Sequence, residues 1–316
     1  MLRFALKRLA SMVVVLFVVS ALTFVIFQAM PNGNPALRMA GRTATQANIE
    51  AITKQFGFNK PIYVQYWRTM QQIFTGQISS YVNGQVNVLG QIKADLPVTL
   101  SLVLGAFVIW FVVSVILGLI GGYRAGKGID TAITTFNFAG ISAPVFVIGD
   151  ILIYLFAFKT HIFPASGYVG IANPLGWAWH LVLPWISLAI LYIGIYSQVL
   201  RSRVVDALGE DFVRTARAKG LSARRIALHH VLRTSLIPVV ALSGLDIAGV
   251  LGGGAILTET VFNLPGVGYY AGTSIASLDV PPVMVITIFG AFLVVLFSAF
   301  ADILYAVLDP RIRAAG

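Results

Sequence analysis

Leu9-Ala10-Ser11-Met12-Val13-Val14-Val15-Leu16-Phe17-Val18-Val19-Ser20-Ala21-Leu22-Thr23-Phe24-Val25-Ile26-Phe27-Gln28-Ala29-Met30 runs for 22 residues without a charge. As a helix it reaches about 33 Å, enough for a bilayer core of about 30 Å. Arg3, Lys7 and Arg8 give it the basic start of a signal peptide, but the run is longer than the usual core of one. It reads as a retained membrane span. The whole chain shares this character: 58% of its 316 residues are hydrophobic, 11% are charged, and the mean hydropathy is +0.85. A soluble domain carries about 25% charged residues, and a disordered chain is far less apolar. The composition indicates an all-α polytopic membrane protein. Without cysteine there are no disulfides, iron–sulfur clusters or thiolate metal sites.

Uncharged runs predict six spans, at about 9–30, 97–120, 131–158, 177–200, 236–258 and 283–305. Pro97 opens the second, Asp150 interrupts the third, Trp177 and Trp179 form an interfacial belt on the fourth, and Asp302 lies near the end of the sixth. The net charge of +10 is therefore read against topology before nucleic acid. With both termini cytoplasmic, 15 of the 22 Lys and Arg residues fall inside, eight of them in 201–235. Arg38, Arg42 and Lys93 count against this arrangement, which is still the better of the two.

Residues 1–316 form one transmembrane domain with two long excursions. The first, 31–96, has an amphipathic stretch at Thr45–Phe56 that predicts a short helix, then Pro61, Tyr63, Tyr66 and Trp67. It is either a solvated extracytoplasmic cap that touches a partner or a packed loop with interfacial aromatics. The second, 201–235, contains Gly209-Glu210-Asp211, then Phe212, Val213 and Ala216, then Lys219-Gly220. Acids at the first turn and a lysine at the last suit a helix dipole. Glu210 and Arg214 are spaced to pair, Gly220 suits a left-handed helix end, and Ser222 suits the cap of a second helix running to Pro238.

Glu210-Asp211-Phe212-Val213-Arg214-Thr215-Ala216-Arg217-Ala218-Lys219-Gly220-Leu221, with Arg224-Arg225, Val231-Leu232-Arg233 and Leu236-Ile237-Pro238, resembles the signature loop of ABC-importer permeases. The resemblance is strongest to the first permease subunit of dipeptide, oligopeptide and nickel importers. Arg214-Thr215-Ala216 stands where the general signature has Glu-Ala-Ala, a form that fits the peptide branch. Arg8-Leu9, Asp95-Leu96-Pro97-Val98-Thr99-Leu100, Phe262-Asn263-Leu264-Pro265-Gly266-Val267-Gly268 and Asp309-Pro310-Arg311 extend the likeness over nearly the whole chain.

The resemblance implies a type I importer fold of six spans in a bacterial inner membrane. It also implies a non-catalytic role: pathway subunit of an importer for dipeptides or short oligopeptides, with nickel or another small solute as alternative cargo. Implied partners are a second homologous permease subunit, two ATP-binding subunits or a fused pair, an extracytoplasmic binding protein, and lipid. ATP and magnesium belong to those partners, and no cofactor is expected in this chain. Residues 209–220 take the part of the coupling helix, involving Glu210, Asp211, Phe212, Arg214, Thr215, Ala216, Arg217, Ala218, Lys219 and Gly220. Ala216 and Ala218 allow close approach, Arg214, Arg217 and Lys219 meet acids on the ATPase, and Phe212 is the anchor.

Other motifs are decoys or open questions. Gly121 to Lys127 imitates a phosphate loop, but Gly128 stands where Ser or Thr must ligate magnesium. Gly266-Val267-Gly268 imitates a dinucleotide fingerprint without a preceding strand. The family resemblance implies a re-entrant or surface element near the outer mouth there, and a plain Asn-Leu-Pro-Gly turn has equal claim. Gly244, Gly249, Gly252, Gly253 and Gly254 in span five suit either a contact with the second subunit beside the path or packing within this one. The Gly252–Gly254 run can also unwind. Asp150, Asp246 and Glu259 are the pathway or gate candidates, since an acid attracts a peptide's amino terminus. His161, His180, His229 and His230 form no metal site. A secondary transporter would use the embedded acids but leaves 201–235 without a purpose. An intramembrane enzyme lacks its motifs.

Overall fold

The computed structural model describes residues 2–29, 36–37, 45–80, 82 and 86–308. Asp309-Pro310-Arg311, Arg38, Arg42, Arg313 and the side chains of Arg3, Lys7, Arg8 and Asp302 lie outside the described residues. The helices are α1 Leu2–Phe24, continued by a wide turn at Val25–Ala29, α2 Gln46–Phe56, α3 Ile62–Phe74, α4 Val88–Tyr123, α5 Gly128–Ser142, α6 Val145–Leu152, α7 Pro174–Gly209, α8 Asp211–Ala218, α9 Leu232–Gly249, α10 Ile256–Val261, α11 Val267–Ala276 and α12 Val280–Leu308. Among the described residues, five segments are long and apolar enough to cross a membrane: Ala10–Phe27, Val88–Tyr123, Pro174–Gly209, Ala223–Gly254 and Val280–Phe300. A bent pair, α5 with the stretch Val145–Lys159, makes up to six. The protein is all-α and polytopic.

Each departure from the expected spans has a local cause. The third span breaks at Ala143-Pro144 and not at Asp150, bending by 102°. A residue before proline is pushed out of the helical region, and Ala143 is extended at φ −85°, ψ 128°. Pro97 does not open the second span: α4 starts at Val88 and runs through it. Pro238 likewise lies inside α9. Membrane helices tolerate proline where neighbouring groups re-satisfy the backbone; a separate widened turn, Ile226–Val231, leads into α9.

The chain divides into two compact units. One comprises Met1–Thr99, Leu251–Ile256 and Pro265–Leu296. The predicted helix at Thr45–Phe56 is present as α2, but the aromatic stretch after it is a helix, α3, where a loop was expected. Tyr66 explains why α3 holds its place: its ring meets Phe24 edge-on at 5.5 Å and its hydroxyl shares a 2.8 Å hydrogen bond with Ser20. Such an aromatic contact adds about 1 kcal/mol to simple burial. Met70, Ile73, Val88, Ile92, Tyr270 and Met284 form the core of this unit.

The other unit comprises Leu100–Val250, Leu257–Leu264 and Phe297–Gly316. Its axis is α7, against which α5, α6 and α9 pack. Asn173 starts α7 by accepting the Gly176 amide at 3.1 Å, with Pro174 in the first turn. On α4 the missing side chain of Gly105 makes room for Trp185, whose indole donates to the Ser101 carbonyl at 2.9 Å. Fully buried Trp110 stacks on Tyr192 at 4.5 Å. Polar Asn137 is fully buried, and its amide donates to Ser197 Oγ at 2.9 Å.

Candidate functional site: the α7–α8 hinge and the embedded acids

After Gly209 the chain leaves α7, and Glu210 turns it with an extended backbone at φ −74°, ψ 152°. Asp211 and Arg217 sit in the first and last turns of α8, each at the dipole end that favours its charge. Val213 and Ala216 are buried in this chain. Asp211, Phe212, Arg214, Thr215, Arg217, Ala218 and Lys219 are exposed and form a mainly basic outer face. The helix therefore has one buried face and one exposed face. Ala216, expected to ease the approach of another protein, packs inward instead. Arg214 pairs with Asp211 at 3.6 Å, one position off the expected Glu210.

The end of α8 is built as the glycine implied. Gly220 takes φ +75°, its amide donates to the Arg217 carbonyl at 3.0 Å, and the Leu221 amide reaches back to Ala216 at 3.2 Å. This double closure is the Schellman arrangement, in which a left-handed residue satisfies the last carbonyls. Ser222 occupies the next cap position, but its side chain makes no capping bond. Its carbonyl instead accepts the Ile226 amide at 3.0 Å, leading through Ile226–Val231 into α9.

Between α5 and α7, Asp130 and Arg201 form a pair that the sequence did not suggest. Asp130 is buried and accepts both the Arg201 guanidinium and the amide of Gly126, which the turn between α4 and α5 presents at 2.8 Å. The turn that follows α4 is thus tied to α5 through the Gly126 amide.

The embedded acids separate. Asp150 is exposed on α6. Asp246 is half-buried on α9 and accepts the Tyr196 hydroxyl, with Tyr192 stacked alongside Tyr196. Glu259 is fully buried in α10, whose end is closed by left-handed Asn263 and a 2.8 Å bond from the Leu264 amide to the Glu259 carbonyl. The structure does not gather these acids into one cluster, and among the described residues no three His, Asp or Glu side chains are grouped to hold a metal ion. Gly249 lies open and Gly254 is exposed. Gly252 meets the backbone of Gly290 on α12, and Gly253 leaves the helix at φ 147°, ψ −12°. Asp95, Ser80, Tyr270 and Asp279 were not singled out as site residues, although Asp279 is buried and accepts the Ser80 hydroxyl at 2.5 Å. Sequence spacing carries no signal for contacts that remote.

Residues 114–314 match the family of binding-protein-dependent transport system inner membrane components, and residues 1–103 match the N-terminal region model of such membrane components. The chain belongs to this family. The permease is a multi-pass, non-catalytic component of an inner-membrane transport system. It is 35% identical to a probable peptide ABC transporter permease of Sinorhizobium fredii, covering 98% of this chain and 99% of that one. It is 34% identical to a putative peptide transport system permease of Brucella abortus, covering 98% of each. An oligopeptide transport system permease of Bacillus subtilis is 34% identical, covering 98% of the permease and 99% of the relative.

Proposed function

We propose that the permease forms the transmembrane pathway of an ATP-driven importer of dipeptides or short oligopeptides. The observation that carries this is end-to-end similarity to relatives described as peptide permeases. In this reading α8 is the coupling helix, within a cytoplasmic segment 201–235, and both termini are cytoplasmic. Residues 31–96 lie on the outer side, where a binding protein delivers cargo. A second permease subunit completes the pathway, and two ATP-binding subunits carry ATP and magnesium. Arg214, Arg217 and Lys219, with Phe212, provide the contact with an acidic cleft on the ATPase. Asp150, Asp246 and Glu259 and the Gly249–Gly254 region are the pathway or gate elements.

The physical case for coupling is the construction around α8. A short helix closed at its C-terminal end, with its inner face buried and a direct continuation toward α9, moves as a body and not as a loose loop. The test replaces Ala218 with cysteine in this cysteine-free chain and co-expresses the neighbouring subunits. Cross-linking to the ATP-binding subunit, together with ATP-dependent uptake of a labelled dipeptide, is the expected result. Labelling of the cysteine only from the outer side, or uptake driven by an ion gradient by the permease alone, overturns the proposal.

A further inference from the structure

We infer that the cavity between the first turns of α4 and helix α11 receives a primary ammonium group, the free amino terminus of a transported peptide. The inference rests on the importer reading above and adds a recognition site to it. The cavity measures about 270 Å³ and is lined by Gln91, Asp95, Pro265, Tyr269, Tyr270 and Thr273, among others. It is distinct from the acids in the spans already considered.

Two independent features give it a ligand preference. Asp95 is 7% exposed, and its Oδ1 accepts the Gln91 side-chain amide at 2.9 Å. Among the described residues it has no ion-pair partner. A buried carboxylate served by one neutral donor is costly, and a cation of the right shape removes much of that cost. Separately, Tyr270 is 8% exposed and its hydroxyl has no hydrogen-bond partner among the described residues. Buried hydroxyls are normally paired, so an orphaned one beside a cavity marks a position where a ligand atom belongs. Burial, reinforced by the Asp279 and Asp95 carboxylates, pushes the Tyr270 phenol up to about 12. It stays neutral at physiological pH and offers its oxygen as an acceptor. An ammonium brings three donors and a positive charge, which is what a carboxylate and a phenol oxygen lack here. Pro265 and Tyr269 add apolar wall for the peptide's first residue, and Tyr269 adds an aromatic face that suits a cation.

The decisive comparison uses the full transporter in proteoliposomes with its binding protein and ATP. Uptake of trialanine is measured against N-acetyl-trialanine, at binding-protein conditions that load both. The binding protein is identical in every arm, so its own preference cancels. Asp95→Asn is expected to lower the KM preference for the free peptide about tenfold, and Tyr270→Phe, which removes only the unpaired hydroxyl, about threefold. An unchanged preference in both variants overturns the inference. So does an equal loss of uptake for both peptides, which indicates a structural role. If the cation is instead a lysine of the docked binding protein, both peptides suffer equally and the affinity of that protein for the complex falls, which also counts against it. Failure of the wild type to take up either peptide while hydrolysing ATP rejects the importer reading itself, a result separable from all of these.

Discussion

Arg201 grips Asp130 with two prongs, Nε to Oδ1 at 2.5 Å and Nη2 to Oδ2 at 2.6 Å. The fork joins α7, at a point about two turns before its end, to the first turn of α5, and Oδ2 also accepts the Gly126 amide. Removing one partner of such a pair leaves the other charge buried, at a cost of about 3 kcal/mol. Arg201→Gln is therefore expected to lower the melting temperature of the purified permease clearly. Asp130→Asn should be milder, because the amide removes the buried charge. The double variant should lose less than the sum of the two, and strict additivity in thermal unfolding would show that the fork is not an energetic unit.

The two alanines of α8 separate folding from docking. Ala216 is 5% exposed and packs inward, whereas Ala218 is exposed. Ala216→Leu overfills a packed site and should destabilise the permease by about 1–3 kcal/mol. Ala218→Leu should leave its melting unchanged and lower co-purification of the ATP-binding subunit. The opposite pattern would place the outer face of α8 elsewhere than proposed.

Left-handed helix ends give opposite predictions at two sites. At Gly220 a Cβ meets nothing within 4 Å, so Gly220→Ala tests backbone strain alone and should cost about 1 kcal/mol. Leu278 holds the same kind of position after α11 at φ 57°, with its side chain exposed. Leu278→Gly should stabilise by about 0.5–1 kcal/mol, the left-handed strain exceeding the entropy cost of glycine. Thermal scans of both variants in one detergent check the sign.

Gly290 and Gly249 look alike in sequence and differ in space. A Cβ on Gly290 would collide with the backbone of Gly252, while one on Gly249 meets nothing. Gly290→Ala should destabilise by about 1–3 kcal/mol. Gly249→Ala should hold or raise the melting temperature, as expected when glycine leaves an open helix. Equal effects would remove the contact as the reason for the glycine at 290.

The spans were legible because an uncharged run of about twenty residues has few other uses. The end of α8 was legible because Gly220 carries a backbone requirement in its identity. Pro144 carries a local signal too, because the residue before a proline is driven out of the helical region, whereas the charge at Asp150 leaves the helix intact. Three other prolines, Pro97, Pro184 and Pro238, lie inside helices, so proline alone does not mark a break in this chain. The clasp of Asp130 by Arg201 and the burial of Asp95 were invisible, because each depends on which helices become neighbours. The same is true of Ala216: helical spacing puts it with Val213, but only the fold shows that this face turns inward.

Gly253 has a consequence for how movement spreads. A straight rod carries a displacement unchanged to its far tip, but the rod that begins beyond α8 is jointed at φ 147°, a geometry closed to residues with a side chain. Gly252, seated against Gly290, is the last anchored residue before that joint, so the change of direction is taken up at Gly253 itself.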